Sequence, residues 1–273
     1  MARMRVNGVD LHVEERGLGA PILGIHGTPG SAALWADPAE RLAAHGRAIT
    51  YDRRGFGRSA VASAVAGARA EPAAGIDDHV ADAVALLEQL DATPAVVLGR
   101  STGGLIALEL ARRHPDAVSA LVLLEPALFT IDAATRAWAG SARDRIVEAA
   151  GEDPDRAAEA VFRVMLGDEA WTGLPAEVRE AFAAASGGVL AELGGDGLDL
   201  SARPRRYDPA ELEVVAVPTL VVVAEASPEP LHRAAAWILG HLPRARRSVV
   251  GGGHLIDPAD PTVLAFIDEH AAR

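Results

Sequence analysis

The sequence predicts an α/β fold: a mostly parallel sheet covered by helices on both faces, with a helical block inserted into it. Three observations predict this. Short apolar runs alternate with segments of helical periodicity through the first half of the chain and again near its end. The central runs, such as Ala95-Val96-Val97-Leu98, are continuously apolar, as strands buried on both faces require. Between about Ala127 and Glu211 the pattern turns helical, with no convincing strand. The expected organisation is a core of residues 1–126 and 213–273 and a helical cap of residues 127–212.

The elements follow in order. Arg5 to Glu15 reads as a hairpin turning at Asn7-Gly8, a pair that tolerates positive φ. Pro21–Ile25 and Arg47–Tyr51 read as strands, with a helix over Ala32–Ala44 between them. Residues 60–75, rich in Ala with Ser, Gly and Pro, read as an exposed loop. Ile76–Leu90 is amphipathic, with Val80, Val84, Leu87 and Leu90 on one side. A strand at Ala95–Leu98, a helix at Thr102–Arg113 and a strand at Val118–Leu124 follow. After the helical block come a strand at Thr219–Val223, a helix near Leu231–Leu239, a strand at Arg246–Val250 and a helix at Pro261–His270.

The bulk properties narrow the function. The chain has 273 residues, 49% of them hydrophobic, enough for one substantial core. Its net charge of −12 repels phosphate backbones and anionic lipid, which argues against nucleic acid or a membrane surface as partner. All 26 basic residues are arginine, a bias attributed to genome composition. Cysteine is absent, so disulfides, thiolate catalysis and Cys-ligated zinc are excluded together. The start, Met-Ala-Arg-Met-Arg-Val-Asn-Gly, has no apolar signal core, and no apolar run approaches a membrane span. A cytoplasmic protein acting on a small molecule is the expectation, with its oligomeric state open.

The most informative motif is Gly99-Arg100-Ser101-Thr102-Gly103, between a buried strand and a helix. G-x-S-x-G in that context is the nucleophile elbow: small residues allow a tight, strained turn that lifts the serine hydroxyl off the sheet end. A serine hydroxyl needs a base. His254, in Gly251-Gly252-Gly253-His254 after the last strand, belongs at the same sheet end and is the candidate. Thr102, directly after Ser101, offers a backbone N–H for an oxyanion.

These segments, together with His26-Gly27-Thr28-Pro29-Gly30-Ser31 and the stretch from Tyr51 to Ser59, make the chain resemble the α/β-hydrolase superfamily. The motifs occur in the family's order and span nearly the whole core. The resemblance implies a Ser–His–acid triad and a second oxyanion donor at the Thr28 N–H. In many members the acid is an aspartate after the strand that follows the cap, but here that position holds Ser227, in Ala224-Glu225-Ala226-Ser227. Other members, among them those resembling zearalenone-type lactonases and haloalkane dehalogenases, place the acid one strand earlier. Glu125 stands there, just past Leu121–Leu124, with Glu225 and Asp257 as the rival carboxylates. The role needs only a carboxylate that accepts the imidazole's second N–H. A serine nucleophile separates this chain from the dehalogenase and epoxide-hydrolase branches, which use aspartate.

The remaining polar residues read as structural. His26 and the Asp52–Ser59 stretch shape loops near the site, and Arg100 is expected to pair with a carboxylate, with contact to a leaving group as the alternative. Asp77, Asp78 and His79 open a helix, where acids favour the dipole, so capping is preferred to metal ligation. No metal and no cofactor are called for. Substrate walls are expected from the cap, with Phe129, Trp138, Phe162, Met165 and Trp171 as candidates beside Leu166 and Phe182. The favoured function is hydrolysis of a carboxylic ester or lactone of an apolar small molecule through an acyl-enzyme. One alternative is a low-turnover ligand-binding protein on the same scaffold, which turnover of an activated ester separates. Another is C–C hydrolase, lyase or perhydrolase chemistry on the same triad, which substrate profiling separates.

Overall fold

A computed structural model describes residues 1–60 and 73–271. The predicted loop at residues 60–75 thus falls largely outside the described residues. An eight-stranded sheet has the order β1-β2-β4-β3-β5-β6-β9-β10. Its strands are β1 (Ala2–Val6), β2 (Val9–Arg16), β3 (Pro21–Ile25), β4 (Arg47–Tyr51), β5 (Ala95–Arg100), β6 (Val118–Leu124), β9 (Thr219–Ala224) and β10 (Ala245–Val250). Only β2 runs against the others. Asn7 and Gly8 make the predicted β1–β2 turn with φ of 42° and 80°.

The parity of the strands sorts the core into two layers. Val97, Leu121, Leu123, Val221 and Val223 face α2 (Ile76–Gln89), α3 (Thr102–Arg113) and α10 (Glu229–His241). Val96, Leu98, Val122, Leu124 and Val222 face α1 (Ala36–Leu42) and α11 (Pro261–His270). Alternate side chains leave a strand on opposite faces, so a strand covered on both sides must be apolar throughout. The helix expected over Ala32–Ala44 is a 3-10 turn at Ala32–Trp35 leading into α1.

Between β6 and β9 the chain forms α4 (Ala133–Glu152), α5 (Ala157–Leu166), α6 (Asp168–Thr172), α7 (Ala176–Ala183), α8 (Ser186–Gly194) and α9 (Pro209–Glu213). Two short strands that the sequence pattern does not signal, β7 (Asp196–Gly197) and β8 (Arg203–Pro204), pair in parallel after α8. Ile146, Val161, Val189 and Leu193 give these helices a cluster of their own, into which Phe56 from the loop after β4 is fully buried. No helix among the described residues is long and apolar enough to cross a membrane.

Candidate active site

β3, β5, β6, β9 and β10 all run the same way, so the loops after them gather at one sheet edge. Ser101 follows β5 with φ 55° and ψ −123°, a conformation that non-glycine residues rarely hold. The flanking glycines are sterically required. A Cβ on Gly99 would stand 2.2 Å from the Gly103 oxygen, and one on Gly103 would stand 2.2 Å from the Ile25 oxygen. α3 starts at Thr102, aiming its N-terminal N–H groups at the space beside Ser101.

Glu125 follows β6 and is also left-handed, with φ 46°. Its carboxylate is fully buried and surrounded by donors. One oxygen accepts the Ala224 N–H at 2.8 Å. The other accepts the Ser227 hydroxyl at 2.8 Å and faces His254 Nδ1 at 2.7 Å. Ser227, at the position expected to carry an aspartate, therefore supports the carboxylate that reaches in from the neighbouring strand. The rivals are elsewhere: Glu225 is exposed, and Asp257 takes Arg41 in a two-pronged pair at 2.9 and 2.7 Å.

Ser101 and His254 line one narrow cavity together with Gly27, Thr28 and Arg100. Its volume is about 30 Å³, room for roughly one water. A Cβ on Gly27 would lie 3.0 Å from Ser101 Cβ, so the loop after β3 presses directly against the serine. His26 holds that loop: Nε2 accepts the Arg53 N–H at 3.0 Å, leaving Nδ1–H for the Gly27 oxygen at 2.8 Å. Burial, with the charge of Arg53, lowers its pKa well below the ordinary value, so it stays neutral. Asp52 braces the same region, accepting the backbone N–H groups of Ala32 at 2.6 Å and Arg58 at 2.8 Å.

Of the cap residues read as substrate walls, Phe162, Met165, Leu166 and Phe182 line the cavity. Phe129, Trp138 and Trp171 do not. Phe129 and Trp138 meet edge to face, 4.9 Å between ring centres, in a cluster with Leu231. Trp171 packs against Phe162 at 5.3 Å, in a cluster with Phe182. Helical periodicity marks a buried face for Trp138 and Trp171 but not which neighbour buries it, and Phe129 lies outside the helices, in the stretch after β6. Arg100 also differs from expectation. Among the described residues it has no carboxylate at ion-pair distance, and its hydrogen bond goes to the Ile256 carbonyl at 3.3 Å. That contact ties the elbow to the loop bearing His254. Asp78 caps α2 as read, accepting the Gly75 N–H at 2.9 Å.

Two acids behind the site carry no local sequence signal. Glu192 on α8 forms a buried ion pair with Arg53, accepts the Thr28 hydroxyl, and lies 3.3 Å from His79 Nε2. Burial pushes its carboxyl up, but Arg53, His79 and Thr28 outweigh it and hold the pKa at about 2. Asp199 accepts the Thr102 hydroxyl at 2.9 Å. Burial and the nearby Glu192 charge push its pKa up to about 7, against the Thr102 hydrogen bond.

The comparisons agree with this architecture. Residues 20–256 match the family model described as alpha/beta hydrolase fold. Lipase LipV of Mycobacterium tuberculosis is 30% identical over 95% of this chain and 96% of its own length. An uncharacterized hydrolase of Bacillus subtilis, YraK, is 38% identical, over 47% of this chain and only 45% of its own length. Among solved structures, a thermophilic esterase from Thermogutta terrifontis (malate bound) superposes with a TM-score of 0.73 at 26% identity, covering 98% of this chain and 97% of that one. With the sheet order, the elbow and the match over nearly the whole core agreeing, the chain belongs to the alpha/beta hydrolase family of enzymes.

Proposed function

We propose that this enzyme is a serine hydrolase that cleaves a carboxylic ester or lactone of a small apolar molecule, with Ser101, His254 and Glu125 as its triad. The observation that carries the reading is the Glu125–His254 hydrogen bond at 2.7 Å, made by an imidazole that shares a cavity with the strained Ser101. Ser101 Oγ attacks the substrate carbonyl while His254 Nε2 takes its proton. Glu125 holds Nδ1–H and balances the imidazolium that forms. The backbone N–H groups of Thr28 and Thr102 receive the developing oxyanion. The tetrahedral intermediate then collapses, and the leaving oxygen departs with the proton from His254. Water, deprotonated by the same imidazole, releases the acid from the acyl-enzyme and returns Ser101 to its starting state. The helices from α4 to α8 act as the cap, and their apolar lining supports an uncharged acyl group.

The narrow cavity favours short acyl chains. A panel of p-nitrophenyl esters from acetyl to dodecanoyl, with lactones of several ring sizes, tests this beside Ser101→Ala. The expected result is turnover highest on acetyl to butyryl esters and abolished in the variant. Turnover that survives Ser101→Ala would overturn the reading.

A further inference from the structure

Thr28 and Thr102, the two residues whose N–H groups flank the reacting carbonyl in the reading above, share a second feature. Each gives its side-chain hydroxyl to a buried carboxyl from the segment between β6 and β9. Thr28 donates to Glu192 and Thr102 to Asp199. The two acids and the two threonines line one small cavity of about 10 Å³, with Val189, Leu193 and Leu198 as its apolar walls. The acids are not equivalent. Glu192 has a full countercharge in Arg53, whereas among the described residues Asp199 has no cation at ion-pair distance.

We propose that Asp199 is a positioning residue of the oxyanion hole: as a neutral acid it holds Thr102 and leaves the positive end of α3 to the oxyanion, and when ionised it competes for that end and slows the chemical step. The inference rests on the serine-hydrolase reading. Its physical basis is the shared location. The Asp199 carboxyl is 2.9 Å from the hydroxyl of the residue whose N–H opens α3. An ionised carboxylate there is drawn to the same helix N-terminus that stabilises charge on the substrate oxygen. The groups facing Asp199 are Glu192 from α8, Arg53 from the loop after β4, the Thr102 hydroxyl from α3, and its own backbone N–H. His79 from α2 approaches the far side of the cluster, at Glu192. Of these, burial and Glu192 favour the neutral form, which titrates at about 7.

The test is the pH dependence of kcat on p-nitrophenyl acetate for the wild type, Asp199→Asn and Ser101→Ala. Asparagine keeps the acceptor for Thr102 and cannot ionise. The wild type should fall above pH about 7, by on the order of tenfold. Asp199→Asn should show no such fall and stay level across that range. If Asp199→Asn folds poorly, Thr102→Val serves instead. Removing the hydroxyl that favours the ionised form should move the alkaline fall to higher pH. An alkaline limb identical in the wild type and Asp199→Asn, or unmoved in Thr102→Val, overturns the inference and leaves the serine-hydrolase reading standing. Wild-type turnover that Ser101→Ala does not abolish overturns both.

Discussion

At the scale of single residues, the site turns on how one carboxylate is surrounded. Glu125 meets three donors on two oxygens: the Ala224 N–H, the Ser227 hydroxyl and His254 Nδ1. Glutamine would bring N–H groups into a shell that offers only donors. Glu125→Gln is therefore expected to keep the fold and to lower kcat by about ten-thousandfold, the scale of a comparable acid-to-amide change, because the wrong imidazole tautomer is stabilised. Circular dichroism and steady-state kinetics on the same preparation check both halves. Ser227→Ala removes one hydrogen bond to the charge and should cost kcat about tenfold. The sequence carried much of this. The strand–turn–helix context made Ser101 legible, the glycine run after the last strand pointed to His254, and the vacant aspartate position drew attention to Glu125. It held no sign that Ser227, in that position, would point back at Glu125. That contact needs β6 and β9 to be neighbours, which is a fact of topology and not of local spacing.

At the scale of elements, α8 is fastened to the core by charge as well as by apolar packing. Arg53 is fully buried and Glu192 is its countercharge. Removing one partner of a buried pair leaves the other charge uncompensated, so Glu192→Ala should destabilise the protein by about 3–5 kcal/mol in urea unfolding. The pH dependence of stability contains two opposite contributions. Glu192 is lowered from 4.5 to about 2 in the folded protein, so its contribution is present above pH 4.5 and is lost as pH falls toward 2. Asp199 is raised from 3.8 to about 7, so the folded state binds its proton more tightly, and stability declines as pH rises across that interval and levels off above it. Urea unfolding in Asp199→Asn should show that decline removed between pH 4 and 7. Phe182 on α7 gives a separate test. It lines both the narrow cavity and an apolar pocket of about 460 Å³ beside Leu34 and Val178. Phe182→Ala should shift ester preference toward longer acyl chains, read as the ratio of kcat/KM for octanoyl and acetyl esters. The sequence showed these helices but not their facing. Phe162 and Trp171 are equally apolar and equally buried, yet only the first reaches the cavity.

At the scale of the whole molecule, the sheet was the most legible part. Pro21–Ile25, Arg47–Tyr51 and Val118–Leu124 have the bounds read from the sequence, because strands covered on both faces are mostly apolar, with Thr50 and Ser119 as polar exceptions inside them. The β7–β8 pairing was not legible, since two-residue strands have no periodicity to read. The order of the strands is what brings the ends of β5, β6 and β10 to one edge and so gathers Ser101, Glu125 and His254 from distant parts of the chain. The central claim is that this assembly makes Ser101 a nucleophile. The direct measurement is labelling with a fluorophosphonate, followed by intact-mass analysis and peptide mapping of the wild type and Ser101→Ala. A single adduct on Ser101, absent from the variant and accompanied by complete loss of ester hydrolysis, is the predicted result. An adduct on another residue, or a Ser101→Ala protein that still hydrolyses esters at the wild-type rate, would contradict it.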